Sequence, residues 1–260
     1  MYDAFSADYD RFVNWDSRLG FEMPFLLRQL EPLAHAGGQP VRVLDAACAT
    51  GRHAIALALN GFASAGADLS PAMIAQAQNN AAQAEVSIPF LAAGFGALKE
   101  AFASDPLFPF DAVLCLGNSL PHLLTPIDLA AALADFCAVL RPDGKVVIQN
   151  RNFDAVLRQQ ERWMDPQAYQ DESQEWIYTR FYDFDADGLI TFNIVTLYRK
   201  HGGSWQQRVT STRLRPLRQA EMTAALVAAG FGEIAAFGSL GGALFDPAAS
   251  GNLVLVASKL

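Results

Sequence analysis

Two aspartates stand where a carboxylate can do binding chemistry. Asp45 ends the apolar run Val-Arg-Val-Leu at 41–44 and is followed by Ala46, Ala47, Cys48, Ala49, Thr50 and Gly51. Small residues after a strand let backbone amides approach a ligand closely beside a helix N-terminus. Asp68 closes the next strand in the run Gly66-Ala67-Asp68-Leu69-Ser70-Pro71-Ala72-Met73. A carboxylate there can accept hydrogen bonds from both hydroxyls of a ribose. Either aspartate can instead simply cap the helix that follows it. The G-x-G-x-x-G fingerprint of dinucleotide enzymes is missing, so the expected ligand carries a ribose and no pyrophosphate.

Three polar residues follow later apolar runs. Asn118 can serve a reacting centre or only satisfy nearby backbone groups. His122 is a lone histidine with equal claims to a functional and a structural role. Arg151 has a planar fork suited to a substrate carboxylate, or to water if it is solvated. The three cysteines, Cys48, Cys115 and Cys137, are far apart, with no C-x-x-C spacing and no histidine at metal-ligand spacing. They read as reduced, mostly buried thiols, and no metal is expected.

These residues need a scaffold, and the hydrophobic rhythm supplies one. From Val41, short β-rich runs at 41–46, 63–68, 86–91, 110–117 and 144–150 alternate with helix-period runs at 53–60, 71–84 and 128–140. This is the pattern of parallel strands joined by crossover helices. A leading helix is expected at 21–33, and Ser70-Pro71 supplies an N-cap with proline in the first turn. Residues 160–215 break the rhythm, being rich in aromatic, Thr and Arg residues, with hairpin turns at Asp187-Gly188 and Gly202-Gly203. The rhythm returns as a helix at 219–229 and strands near 231–237 and 252–258. The expected fold is α/β, Rossmann-like, with a seven-stranded mixed sheet, helices on both faces and an antiparallel β insertion over the active site. The binding domain is read as 1–159 with 216–260, and the insertion as 160–215.

The residues carry a resemblance. VLDAACATG at 43–51 resembles motif I of class I S-adenosylmethionine-dependent methyltransferases, and GADLSPAMI at 66–74 resembles their next motif. FDAVLCLGNSLPHL at 110–123, LRPDG at 140–144 and RNFD at 151–154 are similar to runs of the glycine N-methyltransferase group. The resemblance is clear from about 41 to 157 and does not specifically cover 160–215. It implies S-adenosylmethionine as cofactor, held by Asp45, Ala47, Ala49, Gly51, Asp68, Leu69, Met73, Gly94, Phe95 and Leu116, with Arg18 meeting its methionine carboxylate. It further implies Asn118 and His122 near the reacting centre and Arg151 on a substrate carboxylate. Tyr178 is assigned to the substrate side, and Trp176, Phe181, Tyr182 and Tyr198 either wall the pocket or form ordinary strand core. Tyr2, Tyr9 and Trp15 either cover the cofactor or pack on the sheet.

The chain departs from the family pattern at three points. Ala47 and Ala49 stand where most class I enzymes carry glycine, and Gly94-Phe95 where most carry an aspartate facing adenine. Phe95 can instead pack on the adenine ring. If Ala49 needs positive φ, its Cβ costs ~1–2 kcal/mol, roughly a tenfold loss of affinity.

The net charge of −8 argues against nucleic acid as a partner, because phosphate is held by clustered Lys and Arg. No run approaches the ~20 apolar residues of a membrane span, and no basic-then-apolar leader is read at the N-terminus. A cytoplasmic enzyme acting on a small molecule is expected, with self-association left open. The expected reaction is methyl transfer to an amine of an amino-acid-like substrate. The alternatives are an O-methyltransferase, a non-catalytic nucleoside-binding regulator and, least of all, a nicotinamide oxidoreductase.

Overall fold

The computed structural model describes residues 9–11, 13–34 and 37–260, so Tyr2 lies outside the described residues. Seven strands form the main sheet: β1 (Arg42–Asp45), β2 (Ala63–Asp68), β3 (Phe90–Ala92), β4 (Phe110–Cys115), β5 (Leu140–Arg151), β10 (Phe231–Phe237) and β11 (Asn252–Lys259). Their order is β10-β11-β5-β4-β1-β2-β3. β1, β2, β3, β4 and β5 are parallel to one another, while β11 runs antiparallel to both β5 and β10. The chain therefore changes direction across the sheet at β1, which has β2 on one side and β4 on the other. In open α/β sheets ligands bind in the crevice at the carboxyl ends of the strands beside such a switch.

Alternating side chains cover both faces. Val146, Ile148, Leu253 and Leu255 pack with α4 (Leu98–Phe102), α5 (Pro126–Val139) and α7 (Gln219–Ala228). Val147, Val254 and Val256 point the other way, against α1 (Trp15–Leu30) and Leu57 of α2 (Arg52–Leu59). α3 (Pro71–Gln83) packs with α2 around Phe90. Ser70 caps α3 by accepting from the Met73 amide at 3.2 Å, with Pro71 in the first turn. The rhythm change at 160–215 is a four-stranded antiparallel sheet of β6 (Gln167–Gln170), β7 (Gln174–Phe184), β8 (Ile190–Lys200) and β9 (Gln206–Leu214). Gly188 and Gly202 take positive φ in its turns, as the glycine pairs imply.

Three boundaries differ from the sequence reading. β3 starts at Phe90 rather than at 86, because Pro89 has no N–H to donate to the ladder; its carbonyl accepts from the Gly66 amide instead. The leading helix begins at Trp15, capped by Asn14, with Gly20 and Pro24 inside its pattern obscuring the first turns. β5 begins at Leu140 and runs through the Arg141-Pro142-Asp143-Gly144 segment. α6 (Phe153–Gln159), capped by Asn152, was not expected.

Below the opposite end of the sheet, Asp111 is fully buried in β4 and gathers two guanidinium groups. It accepts from the Arg42 amide at 2.8 Å, from the Arg42 side chain at 3.0 and 2.9 Å, and from Arg141 Nε at 2.5 Å. Removing a buried partner from such a group leaves charge uncompensated and costs about 3–5 kcal/mol. Asp111→Ala is therefore expected to lower the urea midpoint by that amount of stability without changing the site at the other end of the strands. A loss below about 1 kcal/mol would contradict the assignment.

Candidate active site

A cavity of about 880 Å³ opens at the carboxyl ends of β1, β2, β4 and β5 and extends under the second sheet. Its walls are built from the loops that follow those strands. After β1 the chain turns tightly: Ala49 has φ +46° and Gly51 φ +78° as the N-cap of α2. The Ala49 amide donates to Asp68 Oδ2 at 2.9 Å, and the Ser70 amide to Asp68 Oδ1 at 2.9 Å. Asp68 is thereby fixed at the cavity wall. Beside it, Leu69, Met73, Gly94 and Phe95 form an apolar slot. A Cβ on Gly94 would come within 3.0 Å of Leu69 Cδ1, so these two residues pack closely together in the wall. Phe95 is held edge-on to Phe136, with ring centroids 5.4 Å apart.

Asp45 lies deeper. It is only 2% exposed, and its Oδ1 is buried with no hydrogen-bond partner among the described residues. Burial pushes its pKa up to about 6, and the negative Asp68 adds to the rise. His53, the Ala47 amide and Arg18 oppose it. Asp45 opens onto a small recess that shares Tyr9, Arg18, Ala47, Ala49, Leu116 and Gly117 with the main cavity. A buried carboxylate with an unmet lone pair is the natural partner of an ammonium group.

Arg18 reaches this recess from α1 but is already engaged. Its Nε donates to both oxygens of Glu22 at 3.1 Å, and its guanidinium lies 5.1 Å from the Trp15 ring centroid. Glu22 also meets His53 Nε2 at 2.7 Å. Residues 9–11 are pinned across the loop by Asp10, which accepts from Trp15 Nε1 at 3.0 Å, Thr50 Oγ1 at 2.6 Å, Arg52 at 2.7 Å and Asn80 Nδ2 at 3.0 Å. This keeps Tyr9 in the cavity wall.

After β4, Gly117 and Asn118 both take positive φ, +76° and +67°. The Gly117 amide donates to Gln149 Oε1 at 2.8 Å, and Asn118 Oδ1 accepts from the Arg151 amide at 2.9 Å. The ends of β4 and β5 are thus laced together, and Asn118 faces the cavity between them. His122, in the short 3-10 turn Leu120–His122, also lines the cavity. Burial lowers its pKa to about 4, so its imidazole is neutral at physiological pH. Arg151 lines the cavity and pairs with Glu161 at 2.9 Å.

The structure brings Ala47, Ala49, Asp68, Leu69, Met73, Gly94, Phe95, Leu116, Arg18, Asn118, His122 and Arg151 to one cavity, with Asp45 in the adjoining recess. Two assignments need correction. Gly51 is not in the wall: it packs where an added Cβ would meet Phe90 at 2.8 Å and Ala77 at 2.9 Å, so its smallness serves loop packing. Tyr178 is fully buried with Trp176 under Tyr9 and Tyr198. It shares the period-2 face of β7 with Arg180 and Tyr182, which line the cavity, and packs behind Tyr9, which also lines it, without being in the wall itself. Trp176 and Tyr198 fall in that same aromatic cluster, and Phe181 packs on Trp163 at 4.9 Å.

Several lining residues escaped the sequence reading. Glu22, Gln149 and Asn252 sit in ordinary helix or strand patterns with no local signal. Glu161, Trp163, Met164, Asp165 and Arg180 belong to the irregular approach and the second sheet. Asp135 of α5 accepts from the Gly96, Leu98 and Lys99 amides at 2.9, 2.8 and 3.0 Å and so holds the loop carrying Gly94-Phe95. A buried aspartate inside an apolar helix was the available clue.

Over residues 43–144 the chain matches the family model described as a methyltransferase domain. It is similar to the glycine/sarcosine N-methyltransferase of Parasynechococcus marenigrum (strain WH8102), with 36% identity over 155 residues that make up 60% of this chain and 52% of that protein. A solved S-adenosylmethionine-dependent methyltransferase from Clostridium acetobutylicum ATCC 824 superposes with a TM-score of 0.76 at 15% identity, covering 99% of this chain and 98% of that one. CalS10 from Micromonospora echinaspora, an amino pentose methyltransferase solved with S-adenosylmethionine bound, gives 0.68 at 21% identity, covering 99% and 97%. At these identities the solved structures establish a shared fold. The chain spans about half the length of the curated relatives it matches.

The positive φ of Ala49 has a measurable consequence. A Cβ in the left-handed region costs ~1–2 kcal/mol, partly offset by the smaller entropy loss of alanine on folding. Ala49→Gly is expected to stabilise the protein by roughly 0.5–1 kcal/mol, raising Tm by about 1–4 °C. An unchanged or lower Tm would contradict the strain.

Proposed function

We propose that this chain, which matches a methyltransferase domain over residues 43–144, transfers a methyl group from S-adenosylmethionine to an amine of a small amino-acid-like acceptor. One observation carries the reading. Asp45, whose buried Oδ1 has no partner among the described residues, lines a recess that shares walls with the cavity in which Asp68 and the apolar residues Leu69, Met73 and Phe95 lie. That arrangement suits an ammonium group, a ribose and a flat base. The glycine/sarcosine N-methyltransferases among the relatives support an amine as acceptor.

The bound cofactor supplies a methyl group already activated on a sulfonium sulfur. The task left to the chain is to orient a neutral nucleophile and exclude water. In this reading Asp45 holds the ammonium end, Asp68 the ribose hydroxyls, and Met73, Leu69 and Phe95 the base. Asn118 offers its carboxamide to the acceptor amine and fixes its approach. His122 stays neutral above about pH 4, so it adds no repulsive charge to the cavity; it is too weak a base to take the proton released after transfer, which leaves to solvent. Residues 1–159 and 216–260 are read as the domain that holds the cofactor, with 160–215 as the substrate cover.

Two measurements test the reading. With methyl-labelled S-adenosylmethionine and a panel of small amines and amino acids, the purified chain is expected to give labelled product. Asn118→Ala should lower kcat by about 10-fold or more, as loss of a positioning group does. Cofactor binding without product from any acceptor would overturn the catalytic reading. The second measurement is the pH dependence of S-adenosylhomocysteine binding. Asp45 in the uncomplexed protein has its pKa raised to about 6, so its own contribution to stability is greatest below its unfolded value and is lost as pH rises through 6. Binding of an ammonium needs the ionised form, so the sign for affinity is opposite. Affinity should be level above about pH 7 and fall by up to tenfold per unit below about pH 6. Asp45→Asn should bind weakly with no such dependence. A flat wild-type profile with normal binding by Asp45→Asn would refute the assignment.

A further inference from the structure

The half of the cavity away from Asp68 is built largely by the second sheet and the segment leading into it. Two guanidinium groups reach it from different elements: Arg151 from the end of β5 and Arg180 from β7. Arg151 uses Nη2 on Glu161 at 2.9 Å, while its Nε is buried and has no hydrogen-bond partner among the described residues. Burial is the main influence lowering the Arg180 pKa, and the positive charge of Arg151 adds to it; Tyr182 and Asp165 oppose. Glu161 and Asp165 line the same wall and offset part of this charge, and the two guanidinium groups can both face a ligand carboxylate. A planar carboxylate matches the guanidinium fork.

Beside Glu161, Asp165 and Gln167, the same end also carries apolar side chains. Trp163, Met164, Phe192 and Ile194 line it. The Trp163 ring is held against Phe181 at 4.9 Å, and Phe192 against Tyr182 at 5.5 Å, so this wall is preformed. Glycine presents no side chain to cover it. Pockets bind through apolar area plus a few fixed polar groups, and the apolar area here would remain wet with glycine bound.

We infer that the acceptor is an α-amino acid, or a closely similar amino carboxylate, with a sizeable apolar side group: its carboxylate lies between Arg151 and Arg180, and its side group rests on Trp163, Met164, Phe192 and Ile194. This inference rests on the methyl-transfer reading and narrows its substrate. Arg180 becomes the specificity residue supplied by the second sheet, and Trp163 and Phe192 the residues that select size.

The test uses the full chain loaded with S-adenosylhomocysteine, titrated in a calorimeter with glycine, phenylalanine and phenethylamine, and a separate sample supplied with methyl-labelled S-adenosylmethionine, assayed for methyl transfer to each. Phenylalanine is expected to bind about 10–100-fold more tightly than glycine, the gain from burying a side group of that size. It should also bind about 10–100-fold more tightly than phenethylamine, which lacks the carboxylate. Arg180→Met should remove the preference over phenethylamine, acting on KM more than kcat, and Arg180→Lys should restore part of it. Phe192→Ala should cut the preference for phenylalanine over glycine by about 10-fold. Equal or tighter binding of glycine, or equal binding of phenethylamine, overturns the inference whatever the variants do. Methyl transfer to glycine alone would refute it and leave the methyl-transfer reading standing. Failure of the chain to bind S-adenosylhomocysteine would remove both.

Discussion

Two carboxylates at the ends of adjacent strands must be kept close together in a poorly solvated place. Asp45 on β1 has its pKa raised to about 6, chiefly by burial, with the negative Asp68 on β2 adding to the rise. The arrangement persists because Asp68 is met by two backbone amides, Ala49 and Ser70. Those amides are aimed by the tight turn after β1 and by the start of α3. The turn in turn needs positive φ at Ala49 and Gly51 and the close packing of Gly51 on Phe90 and Ala77. Much of the local architecture around β1 and β2 therefore serves to hold the two carboxylates in place at the strand ends.

The remaining walls are tied to that point by hydrogen bonds between distant segments. Asp10 joins residues 9–11 to Thr50, Arg52 and Asn80. Asp135 accepts from the Gly96, Leu98 and Lys99 amides, and Asn118 Oδ1 accepts from the Arg151 amide. In each case a buried or half-buried carboxyl or carboxamide side chain satisfies backbone or side-chain donors that a loop would otherwise leave unmet. A cavity lined by loops is given a fixed shape in this way.

How much of this could be read from the sequence follows from how local each determinant is. The strand and helix rhythm from β1 to β5, the Ser70-Pro71 cap and the two hairpin turns depend on neighbours in the chain, and they were legible. So were Asp45, Asp68, Asn118 and Arg151, because each ends or follows an apolar run. Boundaries failed where one residue overrode the pattern, as Pro89 did at the start of β3. Tyr178 was misassigned because period 2 fixes which face a side chain takes but not which other side chain covers it. Gly51 was misassigned because a small residue in a loop serves packing or ligand approach equally well on paper. Arg180, Glu161 and Trp163 were invisible because their meeting with Arg151 depends on how the second sheet lies over the first, which no local pattern encodes.

The central claim is that Asp45 and Asp68 exist to hold a sulfonium nucleoside, and binding tests it most directly. Calorimetric titration of the purified chain with S-adenosylmethionine and with S-adenosylhomocysteine should give saturable, about micromolar affinity for both. Asp68→Ala should weaken both by about 10-fold or more, the usual cost of a lost charge-assisted hydrogen bond, while remaining folded. Absence of binding in the wild-type chain, or full affinity in Asp68→Ala, would contradict the account.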